Sequence, residues 1–358
     1  MAKALMIYGA SGYTGRLATG VALARGMQPI LAGRSEAKIA RFAEEHSLPY
    51  RVFTLDDPED AAVSLEGVGA VLHCAGPFSS TARPMVDACL QARTHYLDIT
   101  GEIAVFEDVL ARGKEAERAR VLLVPGVGFD VVPTDCLAAM LAGRMPDATR
   151  LELAIRGLGR MSPGTLRTML EGIPSGGRER IDGEIRVVPM AGRERRVPFP
   201  SATASVYSIA WGDVSTAYHT TGIPNIVTYF QLPAWQALPL KMGRSVQTFL
   251  GHGRTQSAGR FLISHLVSGP GEYERMTGRC EIWGEVVNAR GEVVTGTLST
   301  PEAYALTADA AIRAVGRVFS GDLEPGAYTP ARAFGADFIS ECDGVEVHAF
   351  QSGQAAPK

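Results

Sequence analysis

Cysteine is scarce in this chain, and the little there is does not cluster. Cys74, Cys89, Cys136, Cys280 and Cys342 lie far apart, are odd in number and never fall as C-x-x-C. That spacing argues against a disulfide framework and a zinc site, and it predicts a reducing, cytoplasmic setting. Long apolar runs are missing too: no stretch reaches the ~20 residues that a membrane-crossing helix needs. The first apolar run is too short for a signal peptide and ends in glycines. Nor is there a basic run. A net charge of −3 leaves no electrostatic footprint for nucleic acid. No internal repeat or low-complexity linker interrupts the 358 residues, which suffice for two domains with separate cores. The apolar fraction of 46% and charged fraction of 20% are those of an ordinary globular protein.

What is present is concentrated at the start. Ala4 to Tyr8 is a short apolar run, followed by Gly9-Ala10-Ser11-Gly12-Tyr13-Thr14-Gly15 and a helix-compatible stretch, Arg16 to Arg25. Strand, glycine turn and helix in that order form the fingerprint of a dinucleotide site. Gly9 supplies the tight turn, Gly12 a bare approach for a phosphate, and Gly15 close helix–sheet packing. The N–H groups of the first helical turn point at the anion. Ser11 and Thr14 add hydroxyl donors.

The next apolar run, Pro29 to Ala32, ends in Gly33-Arg34-Ser35, with Lys38 one helical turn on. An NAD site places Asp or Glu here to accept from the ribose 2′-hydroxyl. A guanidinium cannot accept that bond, but it can grip a 2′-phosphate in fork geometry, with Lys38 as a supporting charge. The cofactor expected is therefore NADP.

The N-terminal half alternates strand and helix. Strands are predicted at Tyr50 to Leu55, Ala70 to Ala75, His95 to Ile99 and Val121 to Val124. Helices are predicted at Glu36 to His46, Asp57 to Gly67, Arg83 to Arg93 and Ile103 to Ala119. This rhythm predicts an α/β fold, a Rossmann-type doubly wound parallel sheet in the order 3-2-1-4-5-6, with its ligand outside the carboxyl ends of the strands. At those ends lie Ala75-Gly76-Pro77-Phe78, whose ring is a candidate for packing on nicotinamide or adenine, then Glu102 and Asp130. For Glu102 and Asp130, helix first-turn and capping roles are the plain readings. His73 and Cys74 read as core-facing.

From about Arg150 the pattern changes to longer strands and hairpins. Glu184 to Pro189 with Arg193 to Pro198, and Arg279 to Ala289 with Glu292 to Thr300, each read as a hairpin. Pro301 to Phe319 reads as a helix. Leu232 to Leu266, broken by Pro239, reads as a substrate lid or homodimer surface rather than a membrane-surface helix. The domains expected are 1–135 for NADP, a second α+β domain at 136–326 for substrate or dimerisation, and a segment at 327–358.

Taken together, GASGYTG at 9–15, AGR at 32–34, CAGPF at 74–78, YLDITGE at 96–102, PGVGFDVVPTD at 125–135, WGDVSTAYHTTGIPNI at 211–226 and AYTPARAFGADF at 327–338 resemble the saccharopine dehydrogenase-like superfamily of NADP-binding oxidoreductases. Within it, the chain is most similar to the trans-acting enoyl reductase group. The resemblance implies that the segment from about Tyr328 folds back onto the nucleotide domain.

A nicotinamide supplies hydride, while the protein supplies orientation and a proton. Asp213 to Thr221 is the richest donor cluster. Tyr218 or His219 is the candidate proton donor, with Asp213 orienting it. If this segment is a strand, only one of the two adjacent side chains faces the cofactor, and Tyr218 is preferred. Tyr207, Trp211, Tyr229, Phe230 and Trp235 suit a hydrophobic or acyl substrate. Arg156, Arg160, Arg167, Arg178 and Arg180 are the cations that an amino-acid substrate would need. Three readings follow: reduction of an enoyl-type C=C in a lipid-like or polyketide-type substrate, saccharopine-type C=N reduction, or NADPH binding without turnover in a sensor or scaffold.

Overall fold

The computed structural model describes residues 4–172, 176–232, 267 and 269–354. The chain divides into two compact units, Met1–Val132 with Tyr304–Asp343, and Pro133–Ala303 with Gly344–Lys358.

In chain order the first unit contains β1 (Ala4–Tyr8), α1 (Tyr13–Ala24), β2 (Ile30–Gly33), α2 (Glu36–His46), β3 (Tyr50–Val52) and α3 (Pro58–Val63). It continues with β4 (Val68–His73), α4 (Phe78–Ala92), β5 (His95–Asp98), α5 (Ile103–Ala111), α6 (Gly113–Ala119) and β6 (Leu122–Val124), and α7 (Val132–Arg144) leads out of it. The strands pair in parallel in the order 3-2-1-4-5-6, as the alternation predicts. Parallel strands covered on both faces need continuous apolar runs, and β1 supplies one: Leu5, Met6, Ile7 and Tyr8 are all buried. Local signals hold where they are strong. Pro58 opens α3, and the Asp57 carboxylate caps it by accepting from the Glu59 N–H at 2.8 Å.

The second unit is a mixed sheet with helices. Its elements are β7 (Ala148–Arg156), α8 (Pro163–Gly172), β8 (Gly177–Ile181), β9 (Glu184–Val188), β10 (Glu194–Pro198), β11 (Thr203–Ser208), α9 (Asp213–Thr221), β12 (Asn225–Phe230), α10 (Glu272–Thr277), β13 (Arg279–Asn288) and β14 (Glu292–Pro301). Next, α11 (Ala303–Ser320), β15 (Gly326–Ala327) and α12 (Pro330–Phe334) return the chain to the first unit, where β15 pairs in parallel with β6. Finally β16 (Glu346–Val347) and β17 (Gln351–Gln354) pair with β14. The β13–β14 hairpin forms as predicted, across Arg290-Gly291.

Two expectations are corrected here. The hairpin predicted from 184–189 and 193–198 does not form. Instead β9 pairs with β8 across Asp182-Gly183, and β10 pairs with β11. Asp182 and Gly183 both take positive φ, 50° and 83°, the left-handed pair that a two-residue hairpin turn requires. The segment 213–221 is a helix, not a strand. Gly222, at φ 72°, ends it and donates its N–H to the Tyr218 carbonyl at 2.8 Å. The stretch Leu232 to Leu266, Trp235 included, lies outside the described residues apart from Leu232.

Candidate nucleotide-binding site

The site begins where β1 ends. Gly9 turns at φ 84°, and its N–H and that of Ala10 both donate to the Ala32 carbonyl, at 2.8 and 3.2 Å. A Cβ on Gly9 would stand 2.9 Å from the Ala75 Cβ, the Ala75 N and the Cys74 carbonyl carbon, so the turn is wedged against the end of β4. Gly12 precedes α1 in extended backbone and donates to the Gly9 carbonyl at 2.9 Å. A Cβ on Gly15 would run into the Gly9 carbonyl and stand 2.8 Å from the Ala10 Cα, so α1 lies on the turn with no room for a methyl. Tyr13 and Thr14 occupy the first turn, where a helix offers N–H groups with no intrahelical acceptor. Apart from the Gly9 oxygen at 3.1 Å, the position of a Cβ on Gly12 is open, which leaves bare backbone where a phosphate would approach.

Around this cradle the sheet brings the predicted residues together. Arg34 is exposed at the end of β2, Ser35 precedes α2, and Lys38 is exposed on its first turn. Arg34 is close enough to Tyr8 to pull its phenol down, but burial dominates and pushes it up to about 12; its hydroxyl donates to the Phe53 carbonyl at 3.1 Å. On the other side of β1, the end of β4 supplies Ala75, Gly76 and Pro77, joined by a cis Gly76–Pro77 peptide. Phe78 departs from expectation. Its ring is buried in the core of the unit, roughly perpendicular to the His73 ring with centroids 5.3 Å apart. The second corrected residue is Glu102: its carboxylate accepts from the Phe78 and Ser79 N–H groups, each at 2.9 Å, capping α4 rather than only its own helix.

Asp98 was missed by sequence reasoning. At the end of β5 its carboxylate accepts from the Thr100 and Gly126 N–H groups at 3.0 and 2.8 Å and from the Tyr96 hydroxyl at 2.6 Å, tying together the loops after β5 and β6. Burial pushes Asp98 up to about 6, against the pull of these donors. Burial also raises Asp130 to about 6. The sequence signal for Asp98 was its place at a strand end, one residue before the turn.

The three residues expected to be catalytic lie in the second unit, on α9. Asp213 is buried in its first turn, and Tyr218 and His219 lie near its end. The Arg180 guanidinium sits 4.1 Å over the Tyr218 ring and donates to the Val214 and Gly183 carbonyls at 2.8 and 2.6 Å. Tyr207, Tyr229 and Phe230 are buried, and Trp211 stacks on Phe230 at 6.2 Å, so these aromatics are packing groups of the sheet. Among the described residues no group of three or more His, Cys, Asp or Glu could hold a metal, and no helix is long and apolar enough to cross a membrane. All five cysteines are free.

A glycine cradle at a helix start, with an exposed arginine just after the adjacent strand, defines a Rossmann-type dinucleotide domain. Comparison with known proteins gives the particular kind. Residues 5–124 match the saccharopine dehydrogenase NADP binding domain, which supports NADP as the cofactor of this segment. The chain is 30% identical over 183 residues to a Mycobacterium tuberculosis protein provisionally named a trans-acting enoyl reductase, covering 47% of this chain and 43% of that one. It is 28% identical over 153 residues to the human saccharopine dehydrogenase-like oxidoreductase, covering 37% and 35%. The chain thus spans less than half the length of the curated relatives it matches. In fold it resembles apo saccharopine dehydrogenase (L-Glu forming) from Saccharomyces cerevisiae, with a TM-score of 0.66 at 12% identity over 98% of this chain and all of that one.

Proposed function

We propose that the chain is an NADPH-dependent oxidoreductase that reduces an enoyl-type C=C bond in a lipid-like or polyketide-type acyl substrate. The observation that carries the oxidoreductase reading is the glycine cradle with Arg34 beside it, within residues that match an NADP-binding domain of a dehydrogenase family. When bound, the dinucleotide supplies hydride. The chain's part is to seat the pyrophosphate at the start of α1, to hold the 2′-phosphate on Arg34 and Lys38, and to donate a proton to the reduced substrate.

Two observations favour the acyl substrate. The first is similarity to a protein named as an enoyl reductase. The second is the state of three of the five arginines that an amino-acid substrate would need. Arg156 donates to Ser201 and pairs with Glu281 at 3.0 Å, Arg178 donates to the Gly177 carbonyl, and Arg180 is spent on two backbone carbonyls and the Tyr218 ring. Tyr218 or His219 is the proposed proton donor. On a helix they stand about 100° apart, so they need not exclude one another as strand neighbours would.

The test uses NADPH carrying deuterium on one or the other C4 face, offered with enoyl thioesters and, separately, with imines. The expected result is deuteride loss from one face with an enoyl thioester, and a large fall in rate in either Tyr218→Phe or His219→Gln. Turnover with imines alone would shift the reading to C=N reduction. Tight NADPH binding with no oxidation by either acceptor class would refute the enzyme reading and favour a sensor or scaffold.

A further inference from the structure

The turn at the end of β4 is gripped by side chains that lie outside it. From one side, the Thr81 hydroxyl contacts both the Ala75 carbonyl at 2.7 Å and the Pro77 carbonyl at 3.0 Å. Its single hydrogen is committed to those acceptors, so the Thr81 oxygen must accept from His73, whose Nε2 lies 3.0 Å away. His73 is fully buried among Tyr8, Phe78 and Tyr96, with ring centroids 5.5, 5.3 and 6.2 Å away. Burial lowers its basicity to about 3, and its Nδ1 has no hydrogen-bond partner among the described residues. It is therefore a neutral imidazole with its proton fixed on Nε2, aimed at Thr81. From the other side, Glu102 holds the Phe78 and Ser79 N–H groups.

We propose that His73, Thr81 and Glu102 are positioning residues that hold the turn at 75–79 in the shape that receives the nicotinamide half of NADP. This rests on the NADP reading of the same site. The assignment to one half of the ligand follows from strand order. Arg34 ends β2 on one side of β1, and the turn ends β4 on the other. With the pyrophosphate on the glycine cradle and the 2′-phosphate at Arg34, the remaining half extends over β4. The grip gives this buried histidine a role that an apolar residue packed in its place would not fill. Without an Nε2–H donor the Thr81 oxygen is left half-satisfied, and without Thr81 the partly buried Ala75 and Pro77 carbonyls each lose a side-chain donor, the Pro77 carbonyl keeping the Ser80 N–H at 3.2 Å.

Calorimetry with NADPH and with adenosine 2′,5′-bisphosphate, which lacks the nicotinamide half, tests this without turnover. Thr81→Val should weaken NADPH binding at least tenfold and leave the bisphosphate within twofold of the native protein. Thr81→Ser, which keeps the hydroxyl, should recover NADPH affinity to within threefold. If Thr81→Val does not fold, Glu102→Gln is the substitute, since an amide oxygen lacks the charge that holds both N–H groups; it should show the same one-sided loss. NADPH binding unchanged in both variants, or equal loss of both ligands, would overturn the proposal. A native protein that binds the bisphosphate but shows unchanged NADPH affinity on substitution sinks the positioning role alone. A native protein that binds neither ligand sinks the NADP reading with it.

Discussion

Gly9 and Gly12 sit three residues apart in one turn, yet their methyl variants should fail in different ways. In Gly9→Ala the new Cβ meets backbone and Cβ atoms of residues 74 and 75 at 2.9 Å, while the residue is forced to keep φ 84°. Left-handed backbone costs an L-residue about 1–2 kcal/mol, and overpacking against atoms that cannot retreat adds about 1–3 kcal/mol. A loss of about 3 kcal/mol corresponds to a melting temperature lower by roughly 6–12 °C in a domain of this size. Gly12→Ala meets only the Gly9 oxygen, at 3.1 Å, in extended backbone open to any residue, so its melting temperature should fall by less than about 3 °C. Its methyl, however, stands in the cradle itself. NADPH affinity should drop at least tenfold, the equivalent of about 1.4 kcal/mol. Circular dichroism melts and calorimetry with NADPH separate the two variants. A Gly9→Ala protein that melts within 2 °C of native, or a Gly12→Ala protein that binds NADPH normally, would refute the reasoning.

Arg34→Asp should weaken NADPH binding by about 10–100-fold, the worth of a charge-assisted phosphate contact, and leave NADH nearly unchanged; equal losses would remove the 2′-phosphate assignment. The Asp98 carboxyl gives a pH signature. Its basicity rises from 3.8 unfolded to about 6 folded, so the folded state binds its proton more tightly. Its contribution is therefore complete below pH 4 and is lost as pH rises through 6, a change of about 3 kcal/mol. Urea unfolding of Asp98→Asn between pH 4 and 6 should show a flatter slope than native, and an unchanged slope would contradict the assignment.

The sequence discloses most where structure is made locally. The glycine turn, the Asp57-Pro58 helix start and the apolar strands of the first sheet are each fixed by neighbours in the chain. Asp213 to Thr221 misled because Val, Thr and Tyr favour strands in isolation, and the signal that decides, Gly222 as a left-handed helix stop, lies just beyond the segment. Asp182-Gly183 was a readable hairpin turn that the apolar pattern of the following strand obscured. Glu102 capping a helix 24 positions earlier, His73 holding Thr81, and Asp98 bridging to Gly126 depend on which strands become neighbours. No local pattern carries that information.

The nucleotide-binding unit closes on itself only with β15 and α11, made nearly two hundred residues after β6. The pairing of β15 with β6 is joined by the Phe129 N–H donating to Thr307 at 3.0 Å and by Arg25 of α1 pairing with Asp309. On the ribosome, the strands that cradle the cofactor therefore emerge early and wait with one border bare while β7 to β14 of the second sheet are synthesised. A gene fragment stopped after β6 would reproduce that waiting state, with an uncovered strand and exposed apolar helix faces inviting aggregation.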